Sequence, residues 1–264
     1  MTSPDAPLAI ATDARGVARV TLNRPAQRNA FDAALVSSLH AGFESLAADR
    51  AVRVIELTGA GDAFCAGADL AHMQRLSSAD SEANLADAMA LAAMLATLEA
   101  IPKPTVARVN GVAMGGGVGL IACCDVAFSA DAAVFSLSEV RLGLIPATIA
   151  PYVCAAIGVR RFRALALTGE RFDARHALDI GLLHEVTPAA TLDVAGERLI
   201  GELLAGGPRA QAEVKALLRD LRTMTSGEVL QRATAQRLAR LRVSEEGQEG
   251  MRAFLARRAP AWRS

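Results

Sequence analysis

Two glycine-rich segments and one acidic residue carry the chemistry this sequence can do. Phe64-Cys65-Ala66-Gly67-Ala68-Asp69-Leu70 and Asn110-Gly111-Val112-Ala113-Met114-Gly115-Gly116-Gly117-Val118-Gly119 each join a strand to a helix through small residues. Successive backbone N–H groups at such a junction point toward the helix start and bind an anion or a developing oxyanion. Three consecutive glycines let a ligand approach the main chain where side chains would block it. The competing glycine motifs fail. There is no GxxxxGK[ST] phosphate loop, Leu120 stands where GxGxxG needs its last glycine, and no GxSxG elbow is present. A hydrolase built on Ser136 or Ser138 therefore lacks a nucleophile motif. Glu139 is the third element, an acid in the otherwise apolar run Phe135–Ala147. Buried beside the amide donors, its neutral form would be favoured and it would be poised to carry a proton. At the surface it would pair with Arg141 instead.

The elements that must hold these residues follow from periodicity. Residues 8–22 read as two short strands around the turn Asp13–Gly16, with Ala18, Val20 and Leu22 alternating with polar positions. Asp32 sits at an N-cap position ahead of the stripe Leu35, Val36, Leu39, Phe43 and Leu46. Val52–Thr58 reads as a strand, 80–99 as a helix and Thr105–Val109 as a strand. An apolar helix is expected near Leu120–Cys123, and further strands at Asp125–Ser129 and Ala133–Leu137. Strands and helices interleave to about residue 190, the pattern of an α/β layered fold. Beyond it Leu192–Leu204, Arg209–Leu221, Glu228–Leu241 and Glu246–Ala256 all read as helices. The expected organisation is a core over 1–190 and a helical subdomain over 191–264.

Composition narrows the function. The 264 residues are 52% hydrophobic, and 28 basic residues balance 28 acidic ones. A dedicated nucleic-acid binder needs surplus cations, so nucleic acid is not the expected partner. Residues 196–264 nevertheless hold 13 basic residues against 8 acidic, and arginine forks there suit phosphates or another subunit as well as solvent. Cys65, Cys123, Cys124 and Cys154 show no CxxC spacing, and His40, His72, His176 and His184 form no ligand cluster, so neither a metal nor a disulfide framework is expected. No apolar run approaches the roughly 20 residues of a membrane span, and Met1-Thr-Ser-Pro-Asp5 lacks a signal-peptide pattern. A cytoplasmic protein with no membrane partner is the expectation.

Taken in order, several motifs together resemble the enoyl-CoA hydratase/isomerase (crotonase) family over nearly the whole chain. They are Phe64–Leu70, Gly115–Gly117 ahead of Cys124-Asp125, and Glu139 with Leu142–Pro146. Leu167-Thr168-Gly169 with Ala177–Gly181, and Glu249–Arg258, complete the series. The stretch Cys123–Asp125 through Ser138–Pro151 is similar to bacterial methylglutaconyl-CoA hydratases and the related isohexenylglutaconyl-CoA hydratases.

The resemblance implies a spiral of ββα units followed by a C-terminal helical trimerisation region, assembled as a homotrimer or a dimer of trimers. It implies an acyl-CoA thioester substrate, with coenzyme A entering as part of that substrate and no separate cofactor. By the same resemblance the backbone N–H groups of Ala68 and Gly116 hold the thioester oxygen and Glu139 is the acid/base. Arg24, Arg28 and Ala66 lie where the nucleotide is met, and Phe254 and Arg257 where a neighbouring subunit's coenzyme is reached. Gly67, Asp69, Gly115, Pro146 and Ala147 flank the site. Gly119 replaces the first of two family glutamates, a change that would leave space for a branched β-carbon. Reversible hydration of 3-methylglutaconyl-CoA is the expected reaction, with Arg141, His72 and Arg75 as candidate partners for its distal carboxylate. A double-bond isomerase using one carboxylate, and a non-catalytic acyl-CoA- or RNA-binding scaffold, remain the alternatives.

Overall fold

A computed structural model describes residues 6–263; the opening pentapeptide Met1–Asp5, read above for a signal, lies outside them. One sheet has six strands in the order β1 (Leu8–Thr12), β2 (Val17–Leu22), β3 (Val54–Gly59), β5 (Thr105–Val109), β7 (Val126–Ala130) and β10 (Glu185–Thr187). Only the β1–β2 hairpin is antiparallel; β2, β3, β5, β7 and β10 run parallel. A second sheet holds β4 (Ala63–Cys65), β6 (Val112–Met114), β8 (Val134–Ser136) and β9 (Arg171–Asp173), the first three parallel and the last antiparallel.

The chain therefore repeats one unit three times. β3 joins the large sheet, β4 the small one, and α2 (Leu70–Ser77) and α3 (Ser81–Ala100) follow. β5, β6 and α4 (Gly116–Cys123) repeat the pattern, and β7, β8 and a 3-10 turn at Glu139–Leu142 repeat it again. This is the expected ββα spiral. Its consequence for function is geometric: β4, β6 and β8 end side by side, so the three turns that follow them meet at the carboxyl edge of one small parallel sheet. Ligands of parallel sheets bind at that edge.

Local chemistry starts the helices where the pattern requires. The Asp32 carboxylate accepts from the Leu35 N–H to cap α1 (Ala33–Ala48), and Asp80 does the same for Ala83 at α3. The buried face of α1 is the stripe read from sequence, Leu35, Val36, Leu39, Phe43 and Leu46. These side chains join Leu22, Ile55, Leu57, Phe64, Met94, Leu95, Leu98 and Phe135 in the main core. The remainder of the core is closed by α5 (Ala150–Ile157), α6 (Val159–Thr168) and α7 (Ala174–Asp179).

One expectation changes. α3 has 20 residues and is apolar enough by length and composition to cross a membrane, contrary to the reading that no run approaches that length. Its apolarity is largely alanine, and it packs on α1 with Met94, Leu95 and Leu98 in the core. Of the helices after residue 191, the first lies against the core. α8 (Leu192–Ala205) covers the outer face of the large sheet, burying Leu192, Ala195 and Ile200 against Val54, Val106 and Phe128. Arg53 ties the same region down by donating to the carbonyls of Leu204, Gly206 and Trp262. α9 (Pro208–Leu221), α10 (Glu228–Arg242) and α11 (Glu245–Leu255) follow as expected, and expose Val214, Leu218, Val229, Leu238 and Phe254.

Candidate active site

The three turns enclose a cavity of about 350 Å³ lined by Ala66, Gly67, Ala68, Met114, Gly115, Gly116, Ser138 and Glu139. Each turn reaches it for a local reason. Residues 28–31 run beside 66–69: Ala66 N–H donates to the Arg28 carbonyl, Phe31 N–H to the Gly67 carbonyl, and Asp69 N–H to the Phe31 carbonyl. Alternate peptide groups of an extended chain face opposite sides, so the Ala68 N–H points away from Phe31 and has no acceptor among the described residues. Gly116 is the first residue of α4, where a helix N–H has no partner one turn back, and its N–H is also uncommitted. Two free amides from separate turns thus line one cavity.

The glycine triplet is required by its neighbours. Gly115 has φ 48°, and a Cβ on it would lie 2.7 Å from Glu139 Oε1. A Cβ on Gly116 would strike the Phe31 ring at 2.5 Å, and one on Gly117 the Cys65 carbonyl at 2.5 Å. Behind the turns Asn29, at φ 58°, donates to the Ala60 and Ala63 carbonyls at 2.9 and 2.7 Å and accepts from Arg24 N–H.

Glu139 opens the 3-10 turn with its carboxyl against Gly115. Its Oε2 is buried and has no hydrogen-bond partner. Burial pushes the carboxyl above its ordinary value of 4.5, and a hydrogen bond from its own backbone only partly offsets this. The alternative pairing with Arg141 is not made: Arg141 is exposed and lies along Gly169. The other titratable groups in the wall are committed. Asp32 caps α1 and meets Arg24 at 2.9 Å, while His72 Nε2 and Asp87 Oδ1 are 2.8 Å apart. Arg75 donates to His72 Nδ1 at 3.2 Å, so His72 enters the cavity wall held between the two.

Several sequence-derived assignments change place. Arg24 points inward, donating to the Ala30 carbonyl and pairing with Asp32 and Asp69. Asp69 caps α2, and its carboxyl is held below the usual range first by the His72 N–H and also by Arg24. Arg24 and Asp69 are thus tied to one another and to α1, and Asp69 also lines the hollow beside Arg28. Arg28 is exposed and lines a hollow of about 560 Å³ that shares Ala66, Ala68 and Leu70 with the cavity. The Ala66 N–H is used by Arg28, so only its carbonyl is left to read a ligand. Pro146 lines the cavity, whereas Ala147 does not; Thr148 and Ile149 line it instead. Gly119 leaves no space. A Cβ there would lie 2.3 Å from Ile149 Cγ2, so Ile149 already occupies the volume read as open. Phe254 and Arg257 are exposed at the end of α11, outside the cavity of their own chain. Sequence reasoning named His72 but missed Phe31, Ile149 and Asp87 as wall groups. Only the departure from two glutamates at Gly119 could have pointed to Ile149.

The thiols take no part. Burial pushes Cys65 up to about 12 and Cys123 higher still, which suppresses the reactive thiolate.

The enoyl-CoA hydratase/isomerase family model matches residues 12–264. The chain belongs to this family. It is similar to a putative enoyl-CoA hydratase of Thermus thermophilus, 35% identical over 246 residues that cover 92% of this chain and 96% of the relative. It is also 35% identical to the 2,3-dehydroadipyl-CoA hydratase of Escherichia coli, covering 91% and 92% of the two chains. A crystal structure of an enoyl-CoA hydratase from Shewanella pealeana superposes with a TM-score of 0.93 at 42% identity, covering 97% and 96%. The protein is an enzyme of the enoyl-CoA hydratase/isomerase family, and its fold is crotonase-like.

Proposed function

We propose that this enzyme adds water reversibly across the α,β double bond of a branched enoyl-CoA, with 3-methylglutaconyl-CoA and 3-hydroxy-3-methylglutaryl-CoA as the substrate pair. The observation that carries the reading is the Glu139 carboxyl, buried and unpaired at Oε2, in a wall shared with the free amides of Ala68 and Gly116. In hydration the Glu139 carboxylate takes a proton from water as the water oxygen bonds to the β-carbon. The π electrons move to the thioester oxygen, where the two amides meet the growing negative charge. Glu139 then returns its proton to the α-carbon, and the carbonyl re-forms. One carboxyl serves both transfers.

The likeness to a 2,3-dehydroadipyl-CoA hydratase supports an acyl chain ending in a second carboxylate. Here Arg75, which donates to the wall residue His72, is the cation assigned to that carboxylate, while Arg141 is turned away. The hollow beside Arg28 suits the nucleotide end of coenzyme A. Exposed Phe254 and Arg257 suit contact with the coenzyme of a neighbouring copy in a trimer or a dimer of trimers.

One observation favours a second reading: a single unpartnered acid suffices to move a proton between two carbons, as an isomerase does. Turnover in heavy-oxygen water separates the two, since only hydration places solvent oxygen in the product. Glu139→Gln is expected to lower turnover by about 10²–10⁴-fold. Undiminished turnover would remove Glu139 from the mechanism.

A further inference from the structure

The space beside Glu139 is taken by a branched side chain that enters from a different segment. The Glu139 carboxyl rests on Gly115, and Gly119 lies one turn further along α4, its N–H on the Gly115 carbonyl at 3.1 Å. One turn is about 5 Å along the axis. Ile149 covers Gly119 so closely that a Cβ there would stand 2.3 Å from Ile149 Cγ2 and 2.9 Å from Ile149 Cβ, with Leu95 Cδ2 at 3.8 Å. Ile149 is 1% exposed and still lines the cavity. The missing side chain at 119 is therefore the seat for Ile149. It turns the wall next to the proton carrier apolar and bars any carboxylate from that turn of the helix.

We propose that Ile149 is a specificity-determining residue: its methyl groups pack against the substituent on the carbons that Glu139 serves, and select an apolar branch there. The proposal rests on the reading of Glu139 as proton carrier. An aliphatic wall gains contact with a methyl branch and gains nothing from hydrogen, so the preference is for a β-methyl over an unsubstituted β-carbon. A pocket discriminates one methyl group by about 10–200-fold.

The test is kcat/KM for 3-methylglutaconyl-CoA and for glutaconyl-CoA, which differ only in that methyl, in the wild type, Ile149→Val and Ile149→Ala. The methylated-to-unmethylated ratio is expected to fall about tenfold in Ile149→Ala and a few-fold in Ile149→Val. A ratio unchanged within twofold in a variant that still melts cooperatively overturns the proposal. If Ile149→Ala does not fold, Ile149→Val decides it alone. Glu139→Gln, assayed beside them, keeps the two readings apart. Loss of turnover on both thioesters with an unchanged Ile149 ratio sinks only the role of Ile149. Retained turnover in Glu139→Gln sinks the proton-carrier reading on which the proposal stands.

Discussion

Replacing Gly115 by alanine perturbs the site through a single methyl group. That Cβ would lie 2.7 Å from Glu139 Oε1 and 3.3 Å from Cδ, so the carboxyl must retreat. Reaching an ordinary contact requires a shift of about 0.7 Å, and misplacements near 1 Å cost on the order of 10²-fold in rate. Gly115 also has φ 48° and ψ −113°, a conformation that L-residues hold only at a cost of about 1–3 kcal/mol. For a chain of this size, that lowers the melting temperature by roughly 2–5 °C. The expected result is a folded Gly115→Ala protein with kcat down about 10–100-fold, followed by loss of enoyl-thioester absorbance. The control is Gly181→Ala. Its φ is 88°, the nearest atom to a Cβ is the Ala156 carbonyl oxygen at 3.5 Å, and it lies away from the cavity. It should lose stability and keep kcat. A folded Gly115→Ala enzyme with undiminished kcat would refute the placement of the reacting carbons beside Glu139.

Glu139→Gln should be more stable than the wild type at neutral pH. The folded carboxyl titrates above 4.5, so wild-type stability falls as pH rises through that window and stays lower above it. Melting curves at several pH values should show the variant's advantage shrinking as pH drops toward 4.5. Gly119→Ala should cost about 1–3 kcal/mol by overpacking against Ile149. Part of that cost should return when Ile149→Ala, which removes the clashing Cγ2, is added, a non-additivity that denaturant unfolding measures. Asn29→Ala removes bonds to Ala60, Ala63 and Arg24 at a left-handed residue and should destabilise by about 2–4 kcal/mol. Turnover per folded molecule should fall with it, since Asn29 holds the turn behind Ala68.

The strands and helices were legible because their apolar faces follow simple periods: the Leu35–Leu46 stripe and the alternation in Val17–Leu22 both lie in the core as read. The two glycine turns were legible because backbone donors need small residues, whatever lies elsewhere in the chain. The mutual pairing of Arg24 and Asp69 was not legible, for a physical reason. A charged pair in a loop has the same spelling whether it grips a ligand or grips itself, and only three-dimensional proximity, here 3.1 Å, distinguishes the two. Gly119 was misread as open space, because a missing side chain implies a gap only if nothing else fills it, and Ile149 arrives from 30 residues away. The His72–Asp87 pair joins separate helices across 15 residues, with no local pattern to reveal it.

Catalysis here depends on where an acyl oxygen sits between the first two turns and the third. A crystal structure of the enzyme with a slowly turned-over 3-methylglutaconyl thioester measures that directly. The thioester oxygen should lie about 3 Å from both the Ala68 and Gly116 nitrogens, with the Glu139 carboxyl facing the α- and β-carbons and the β-methyl against Ile149. An oxygen bound away from either nitrogen, or a Glu139 carboxyl turned from the double bond, would contradict the account.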